Sequence, residues 1–173
     1  MTSFEIDKIE SAVRQIKESI CLFFERRDPV AIHTLAFAGH KILYDLCYNK
    51  GMKDKLSYSL RDYIYVPQEK RKEWYNLLSS TANFIKHADH DGDDKILFDP
   101  KISEAFMLDA TYLYQNLRTD LFHEGAVFRT WFFLRYPFAM MESEYKDKLI
   151  SLKLAPGDIE NFAFIRSMLD YKK

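Results

Sequence analysis

Apolar residues recur every three or four positions over most of this chain, and this spacing predicts helices rather than strands. The first helix is expected over about 3–26, with Thr2 and Glu5 as its capping box. The predicted core side of this helix consists of Ile6, Ile9, Val13, Ile16, Ile20 and Phe23. That seam is narrow enough for a helix pair or a bundle.

A stop-and-start signal at Asp28 and Pro29 separates the first helix from the second. Aspartate is a good N-cap, and proline is tolerated at the first helical position. The second helix is expected to reach about Asn49, and Gly51 supplies a left-handed cap. Its predicted core side consists of Ile32, Leu35, Gly39, Ile42 and Leu46. Because Gly39 has no side chain, a neighbouring backbone can approach closely there, and the two helices are expected to form an antiparallel hairpin.

Weaker and stronger helical patterns alternate in the rest of the chain. Residues 52–66 predict a short helix or turn whose tyrosines cover the hairpin. A strong third helix is expected over 67–88, with a buried side formed by Trp74, Leu77, Leu78, Thr81, Phe84, Ile85 and Ala88. A short extended segment is expected at 95–98. Asp99 and Pro100 then repeat the stop-and-start signal and begin a fourth helix.

This pattern predicts one all-α domain over 1–173. Its core is expected to be a four-helix bundle over about 3–118, formed by the first four helices. Two or three C-terminal helices are expected over about 120–171, at 120–135, 141–152 and 158–171. The apolar run 131–134 is either core or a partner surface, and the second alternative is the reason to expect a dimer.

Composition favours a cytoplasmic location and argues against duplex DNA and membranes as partners. The chain has 25 basic and 26 acidic residues, so the basic phosphate footprint typical of duplex DNA binding is not expected. Cys21 and Cys47 lie in helical patterns, which indicates reduced cysteines of a cytoplasmic protein; a single disulfide is the alternative. No basic and apolar leader precedes the first helix, and no apolar run reaches the roughly 20 residues that span a bilayer, so no membrane partner is expected.

Polar and titratable side chains gather at the end of the third helix. Asn83 and His87 are four residues apart and share a face, with Lys86 beside them. An amide, an amine and an imidazole together can hold a phosphate or polarise an oxygen, with His87 as acid or base near neutral pH. These three are the candidate catalytic residues, and the alternative is an exposed polar helix end. The acidic run 89–94 does not fit a calcium-binding EF-hand loop, because Asp94 and Pro100 occupy the positions that need Gly and Glu.

Two further histidines lie on the second helix. His33 and His40 are seven residues apart and form one stripe with Phe37 and Tyr44, flanking the predicted core. They either contact a ligand or metal or are satisfied by internal hydrogen bonds. The candidate ligand-binding residues are His33, His40, Tyr44 and Asp89. No Glu precedes a His by three residues, so a di-iron site is not expected and no cofactor is predicted. The remaining metal alternative would use His40, His87 or His90, and His123.

Two stretches of the chain resemble a group of bacterial helical proteins related to the HEPN (higher eukaryote and prokaryote nucleotide-binding) domains. They are residues 83–89, Asn-Phe-Ile-Lys-His-Ala-Asp, and the small-residue stretch 32–43 of the second helix. By helix order the resemblance covers about 1–120. It implies a dimer and, in active members, a metal-independent endoribonuclease whose motif is Arg, a polar residue and then His. Asn83 and His87 match the polar and His positions, whereas Ala82 stands at the Arg position.

Three hypotheses about function follow from these residues. The first is a HEPN-like helical protein that acts without catalysis, through a homodimer or a protein partner. The second is an endoribonuclease that uses Asn83, Lys86 and His87, with RNA as its partner. The third is a helical bundle that binds a metal or small ligand through His33, His40 and His87. The missing Arg favours the first, because a cation is wanted to stabilise a charged transition state.

Overall fold

The computed structural model describes residues 2–56, 58–63, 65–87, 92–136 and 167. Every regular element in these ranges is helical, which confirms the predicted all-α class. The helices are α1 (Lys8–Phe24), α2 (Pro29–Asn49), α3 (Lys53–Leu56), α4 (Arg71–Lys86), α5 (Lys101–Leu117) and α6 (His123–Arg135), with a 3₁₀ turn at Gln68–Lys70 before α4. The helices predicted at 141–152 and 158–171 lie outside the described residues, except for the helical residue Ser167.

Helix α1 begins later than the sequence pattern predicts. Asp7 is its N-cap, and Oδ1 of Asp7 accepts a hydrogen bond from the Glu10 amide at 2.7 Å. The predicted capping box of Thr2 and Glu5 is therefore wrong, because the aspartate just before the helix is the stronger N-cap. Ile6 lies outside the helix and is 46% exposed, so it does not belong to the core.

Both predicted boundary signals of α2 are confirmed. Pro29 is its first residue, and Oδ1 of Asp28 accepts hydrogen bonds from the amides of Val30 and Ala31, each at 3.0 Å. At the other end, Gly51 has a φ of 74°, in the left-handed region that favours glycine. These short-range preferences fix the length of the central helix and therefore the positions along it.

Helix α2 is the central element of the described fold. It packs along α1 and along α5, and α6 closes the arrangement by contacting both α1 and α5. Helix α4, which belonged to the predicted four-helix core, packs on α2. Fully buried side chains of α1, α2, α5 and α6 form the centre of the core, among them Ile16, Ile20, Leu43, Phe106, Leu113 and Phe128.

Gly39 allows α1 and α2 to approach closely, as predicted. A Cβ atom on Gly39 would lie 2.8 Å from Cγ1 of Ile16 and 2.9 Å from the carbonyl oxygen of Ala12. We expect Gly39→Ala to lower the free energy of unfolding by about 1–2 kcal/mol, because overpacking against a backbone atom outweighs a gain of about 1 kcal/mol in helix propensity. Urea denaturation followed by circular dichroism measures this difference.

Gly125 in α6 provides the matched control for Gly39. A Cβ atom there would also meet a neighbour at 2.8 Å, but this neighbour is the Phe122 ring, and no backbone atom is among the three nearest. Because a ring can shift more readily than a backbone oxygen, Gly125→Ala is expected to lower stability less than Gly39→Ala. Equal effects of the two substitutions would show that the close approach does not constrain the α1–α2 pair.

The buried side of α4 agrees with the predicted one except at Leu77. Leu77, predicted to be buried, is 66% exposed, whereas Leu78, Ser79 and Ala82 are buried. Trp74, Thr81, Phe84 and Ile85, which were also predicted on this side, are partly buried, and Ala88 lies outside the described residues.

Most of the predicted apolar features of the chain are accounted for inside the fold. Trp131 is 3% exposed, and its ring packs on Phe23 at 5.0 Å and on Phe24 at 5.6 Å between centroids, so this part of the 131–134 run is core. Cys21 and Cys47 are unbridged, and burial raises the pKa of the Cys47 thiol to about 11. Within the described part of the chain, no helix has the length and apolar character to cross a membrane.

Candidate functional site

The two histidines of α2 lie in the core instead of flanking it. His33 and His40 are both buried, because the stripe that they share with Phe37 and Tyr44 is an inner face of the helix. Helix α5 supplies a hydrogen-bond partner for each imidazole. Both histidines therefore make internal hydrogen bonds, which was one of the two predicted alternatives. These bonds explain why polar groups are tolerated at buried positions.

Oδ2 of Asp109 is the centre of a buried polar network. It lies 2.7 Å from Nε2 of His40, and it accepts hydrogen bonds from Oγ of Ser59 at 2.7 Å and from the amide of Leu60 at 2.9 Å. These groups come from α2, from α5 and from the segment between α3 and α4. Because three parts of the chain meet at one oxygen atom, the network fixes that segment against the two helices.

His33 is fully buried, with one ring nitrogen unpaired. Its Nδ1 lies 3.1 Å from Oγ of Ser103, and within the described ranges its Nε2 has no hydrogen-bond partner. The rings of Phe98 and Phe106 lie against it. Burial, and secondarily the positive charge of Lys86, lower the pKa of His33 to about 4. The imidazole is therefore neutral at pH 7.

The three candidate catalytic residues lie at the end of α4. Asn83 and His87 are exposed, and His87 is the C-cap, with its amide donating to the carbonyl oxygen of Asn83 at 3.0 Å. Nζ of Lys86 lies 4.8 Å from the ring centroid of Phe37 on α2, a cation–π contact. Lys86 therefore contacts an aromatic ring of α2, and it is itself exposed, like Asn83 and His87. Asp89 lies outside the described residues.

The position that would hold a catalytic Arg in the HEPN-like motif is part of the core. Ala82 is 1% exposed, so a guanidinium at this position would not reach solvent without displacing α4. Among the described residues, no group of three or more His, Cys, Asp or Glu side chains is arranged to hold a metal ion. His123 is the first residue of α6, and His90 lies outside the described residues.

A row of cation–π and ring-stacking contacts runs along the second half of α2 and the segment beside it. The guanidinium of Arg61 lies 4.5 Å from the ring centroid of Tyr44 and 4.2 Å from that of Tyr75. Nζ of Lys53 lies 5.8 Å from the ring centroid of Tyr48, which stacks on Tyr44 with 6.3 Å between the centroids. These contacts form one continuous row from Lys53 to Tyr75.

A small cavity lies against this row. It is lined by Phe37, His40, Lys41, Tyr44, Arg61, Tyr75, Leu78 and Phe106. Its volume of about 20 Å³ has room for roughly one water molecule, far less than a small-molecule substrate needs. The Tyr44 hydroxyl donates to Asp62, and burial raises the pKa of Tyr44 far above its usual value, so this tyrosine is a fixed hydrogen-bond donor.

Four tyrosine rings of α2 and of the segment between α3 and α4 are exposed. Tyr48, Tyr58, Tyr63 and Tyr65 are between 40% and 68% exposed, and the rings of Tyr63 and Tyr65 lie 5.3 Å apart. The prediction that the tyrosines of 52–66 cover the hairpin is therefore wrong. We call these four tyrosines, together with Lys53 and Arg61, the tyrosine surface.

The tyrosine surface lies in the most basic part of the chain. Residues 50–73 contain seven Lys or Arg and four Asp or Glu, although the whole chain is balanced. Among these acidic side chains, Asp62 accepts a hydrogen bond from Tyr44 and Glu73 pairs with Lys70. The segment that carries Tyr58, Tyr63 and Tyr65 therefore has three more basic than acidic residues.

Sequence reasoning missed the residues that hold the tyrosine surface in place. These are Asp109, which binds Ser59 and Leu60, and Trp74, whose Nε1 donates to the Leu60 carbonyl oxygen at 2.6 Å. One signal was available: Asp109 stands next to Ala110 on the apolar side of α5, where a carboxyl group needs buried partners.

Comparison with known proteins leaves function to be argued from this geometry. No protein-family model, no curated protein and no solved structure matches the chain.

Proposed function

We propose that the protein binds single-stranded RNA on the tyrosine surface and does not cleave it. The observation that carries this proposal is the set of four exposed tyrosine rings within a local excess of cations. Stacking of a base on an aromatic ring contributes about 1–3 kcal/mol and tolerates any sequence, because every base has a π-face. Lysine and arginine side chains neutralise the phosphates between the bases.

The charge of the tyrosine surface favours a polyanion over a second copy of the same surface. Two such surfaces facing each other would bring like charges together, which disfavours a symmetric dimer through this face. A single-stranded nucleic acid offers both negative charge and unpaired flat rings. Base pairs in a duplex are stacked inside the helix, so duplexes present no free base faces to the tyrosines. The HEPN-like resemblance adds RNA as the expected nucleic acid.

The surroundings of His87 support binding without cleavage. Lys86, the cation nearest to it in sequence, contacts the ring of Phe37, and Ala82 is buried. Ala82 supplies no positive charge beside His87 and Asn83, and the Lys86 ammonium is engaged by the Phe37 ring. A phosphoryl transfer that uses His87 would therefore lack the guanidinium of the HEPN-like motif, which is the cation expected to stabilise the transition state. The metal-binding alternative is disfavoured because His33 and His40 already have partners on α5.

The proposal also includes the more detailed predictions made from the sequence. They are a HEPN-like arrangement with a four-helix core, a homodimer and a cytoplasmic location. A dimer formed through another face would place two tyrosine surfaces on one particle, and linked sites of this kind raise the apparent affinity for a long strand.

We expect Tyr58→Ala and Tyr65→Ala each to weaken binding of a fluorescein-labelled oligouridine about tenfold, since each removes one stacking platform. Fluorescence anisotropy measures the dissociation constants, which should also rise steeply with salt as phosphate contacts are screened. The oligouridine should remain intact on a denaturing gel, with wild-type protein and with His87→Ala alike.

Phe4→Ala is the matched control for the tyrosine variants. Phe4 is 65% exposed beside the guanidinium of Arg14, much like Tyr65 at 68%, but it lies outside the tyrosine surface. Its removal should leave the dissociation constant unchanged. Wild-type affinity in both tyrosine variants, or equal affinity for duplex RNA, would contradict the proposal. Cleavage that disappears in His87→Ala would instead establish the endoribonuclease alternative.

A further inference from the structure

A groove lies between α1 and the C-terminal end of α5. Its volume is about 360 Å³, and small-molecule sites usually occupy about 300–1,000 Å³. Its apolar lining comes from Ile9, Val13 and Tyr114, and its charged lining comes from Asp7, Glu10, Arg14, Lys17 and Arg118. The ring of Tyr114 is fixed by an edge contact with Phe122 at 5.2 Å between centroids. The groove therefore joins a rigid apolar wall to a charged rim.

Most of the charged side chains at the rim have partners within the protein. Asp7 caps α1 by accepting from the Glu10 amide, and Glu10 forms an ion pair with Arg14. Nζ of Lys17 lies 3.2 Å from Oε2 of Glu124 on α6. The Glu10–Arg14 and Lys17–Glu124 pairs are each neutral, so they contribute little net attraction for a ligand.

Arg118 differs from the other rim residues. It is exposed at the C-cap of α5, and its guanidinium has no ion pair or hydrogen bond with any residue that the structure describes. A guanidinium presents its donors as a planar fork that matches the two oxygens of a carboxylate. An unpaired arginine beside an apolar wall is complementary to a molecule with one anionic group and an apolar body.

We propose that this groove binds a small organic carboxylate. The carboxylate pairs with Arg118, and the apolar body of the ligand lies on Ile9, Val13 and Tyr114. The carboxylate of Asp7 accepts from a backbone amide and has no cationic partner among the described residues, so it repels a second negative charge, and a monoanion is preferred over inorganic phosphate. The residues of this site are not those of the tyrosine surface, and the site does not depend on RNA binding.

Fluorine NMR with para-fluorophenylacetate tests this site on the full chain. The matched neutral ligand is para-fluorophenylacetamide, which has the same shape without the charge. The carboxylate should give a saturable shift, and the amide should bind at least about tenfold more weakly. Arg118→Gln should weaken carboxylate binding about tenfold or more, because it removes the fork of charged donors.

Arg27→Gln is the control variant, since Arg27 is an exposed arginine in the turn between α1 and α2 and lies outside the groove. It should bind the carboxylate like the wild type. Backbone amide shifts should change at Val13 and Tyr114, and inorganic phosphate should not compete. Three outcomes overturn the proposal: no saturable signal, equal binding of acid and amide, or unchanged affinity in Arg118→Gln.

Discussion

Replacing Asp109 by alanine is expected to lower the free energy of unfolding by about 3–5 kcal/mol. The substitution removes the oxygen that binds Nε2 of His40, Oγ of Ser59 and the amide of Leu60. Each buried donor left without a partner costs about 1–3 kcal/mol, so the three together are enough for a loss of this size. Urea denaturation followed by circular dichroism measures the loss, and hydrogen exchange of the Leu60 amide reports on the segment that the network holds.

Asp45→Ala is the control for Asp109→Ala. Asp45 also forms ion pairs, with Lys41 at 2.6 Å and with Arg61 at 3.5 Å, but it is 44% exposed. Exposed pairs of this kind contribute at most about 1 kcal/mol, so this variant should be nearly as stable as the wild type. A loss in Asp109→Ala no larger than that in Asp45→Ala would refute the role assigned to the buried network.

Acidification from pH 7 to pH 4 is expected to destabilise the protein by about 2–3 kcal/mol through His33, at about 1.4 kcal/mol per unit of pKa difference. The pKa of this imidazole is 6.5 in the unfolded chain and about 4 in the folded protein, because of burial and then Lys86. Between these two values the unfolded state binds more protons. Neutral His33 therefore makes its full contribution to the free energy of unfolding above pH 6.5. This contribution is lost progressively as the pH falls and changes no further below about pH 4.

The measurement compares wild type with His33→Phe at both pH values. Carboxyl groups titrate in the same range in both proteins, so the difference between the proteins isolates His33. Phenylalanine keeps a ring against Phe98 and Phe106 and removes the unpaired Nε2. The variant should gain about 2–3 kcal/mol relative to wild type on going from pH 7 to pH 4. Identical pH dependence in the two proteins would show that His33 does not titrate in this way.

The ends of α2 and the role of Gly39 could be predicted from the sequence because they depend on local chemistry. Asp28 and Pro29 start the helix, and Gly51 ends it, through preferences that involve only adjacent residues. The lack of a side chain at Gly39 is likewise visible in the sequence. The start of α1 was misplaced because the prediction followed the capping-box spacing of Thr2 and Glu5, whereas Asp7, the stronger N-cap, begins the helix.

The buried stripe of α2 depends instead on contacts between distant parts of the chain. His33 and His40 satisfy the pattern of a ligand site and that of a core equally well until α5 brings Ser103 and Asp109 opposite them. Those partners are about 70 positions away in sequence, so no local sequence pattern predicts these two hydrogen bonds. The exposure of Tyr58 also depends on a distant residue. Asp109 binds Ser59 and Leu60 and so fixes which side of the segment around Tyr58 faces the core.

Because Trp74 is hydrogen-bonded to Leu60, its fluorescence can report on the segment that carries the tyrosine surface. The protein has two tryptophans, and Trp131 lies in the core among phenylalanine rings, so its emission follows global unfolding. The indole of Trp74 is tied to the backbone of the segment that carries Tyr58 and Tyr63, so its emission follows release of that segment. In a Trp131→Phe background, a change in fluorescence that precedes the loss of helical circular dichroism would reveal detachment of the tyrosine surface before the core melts.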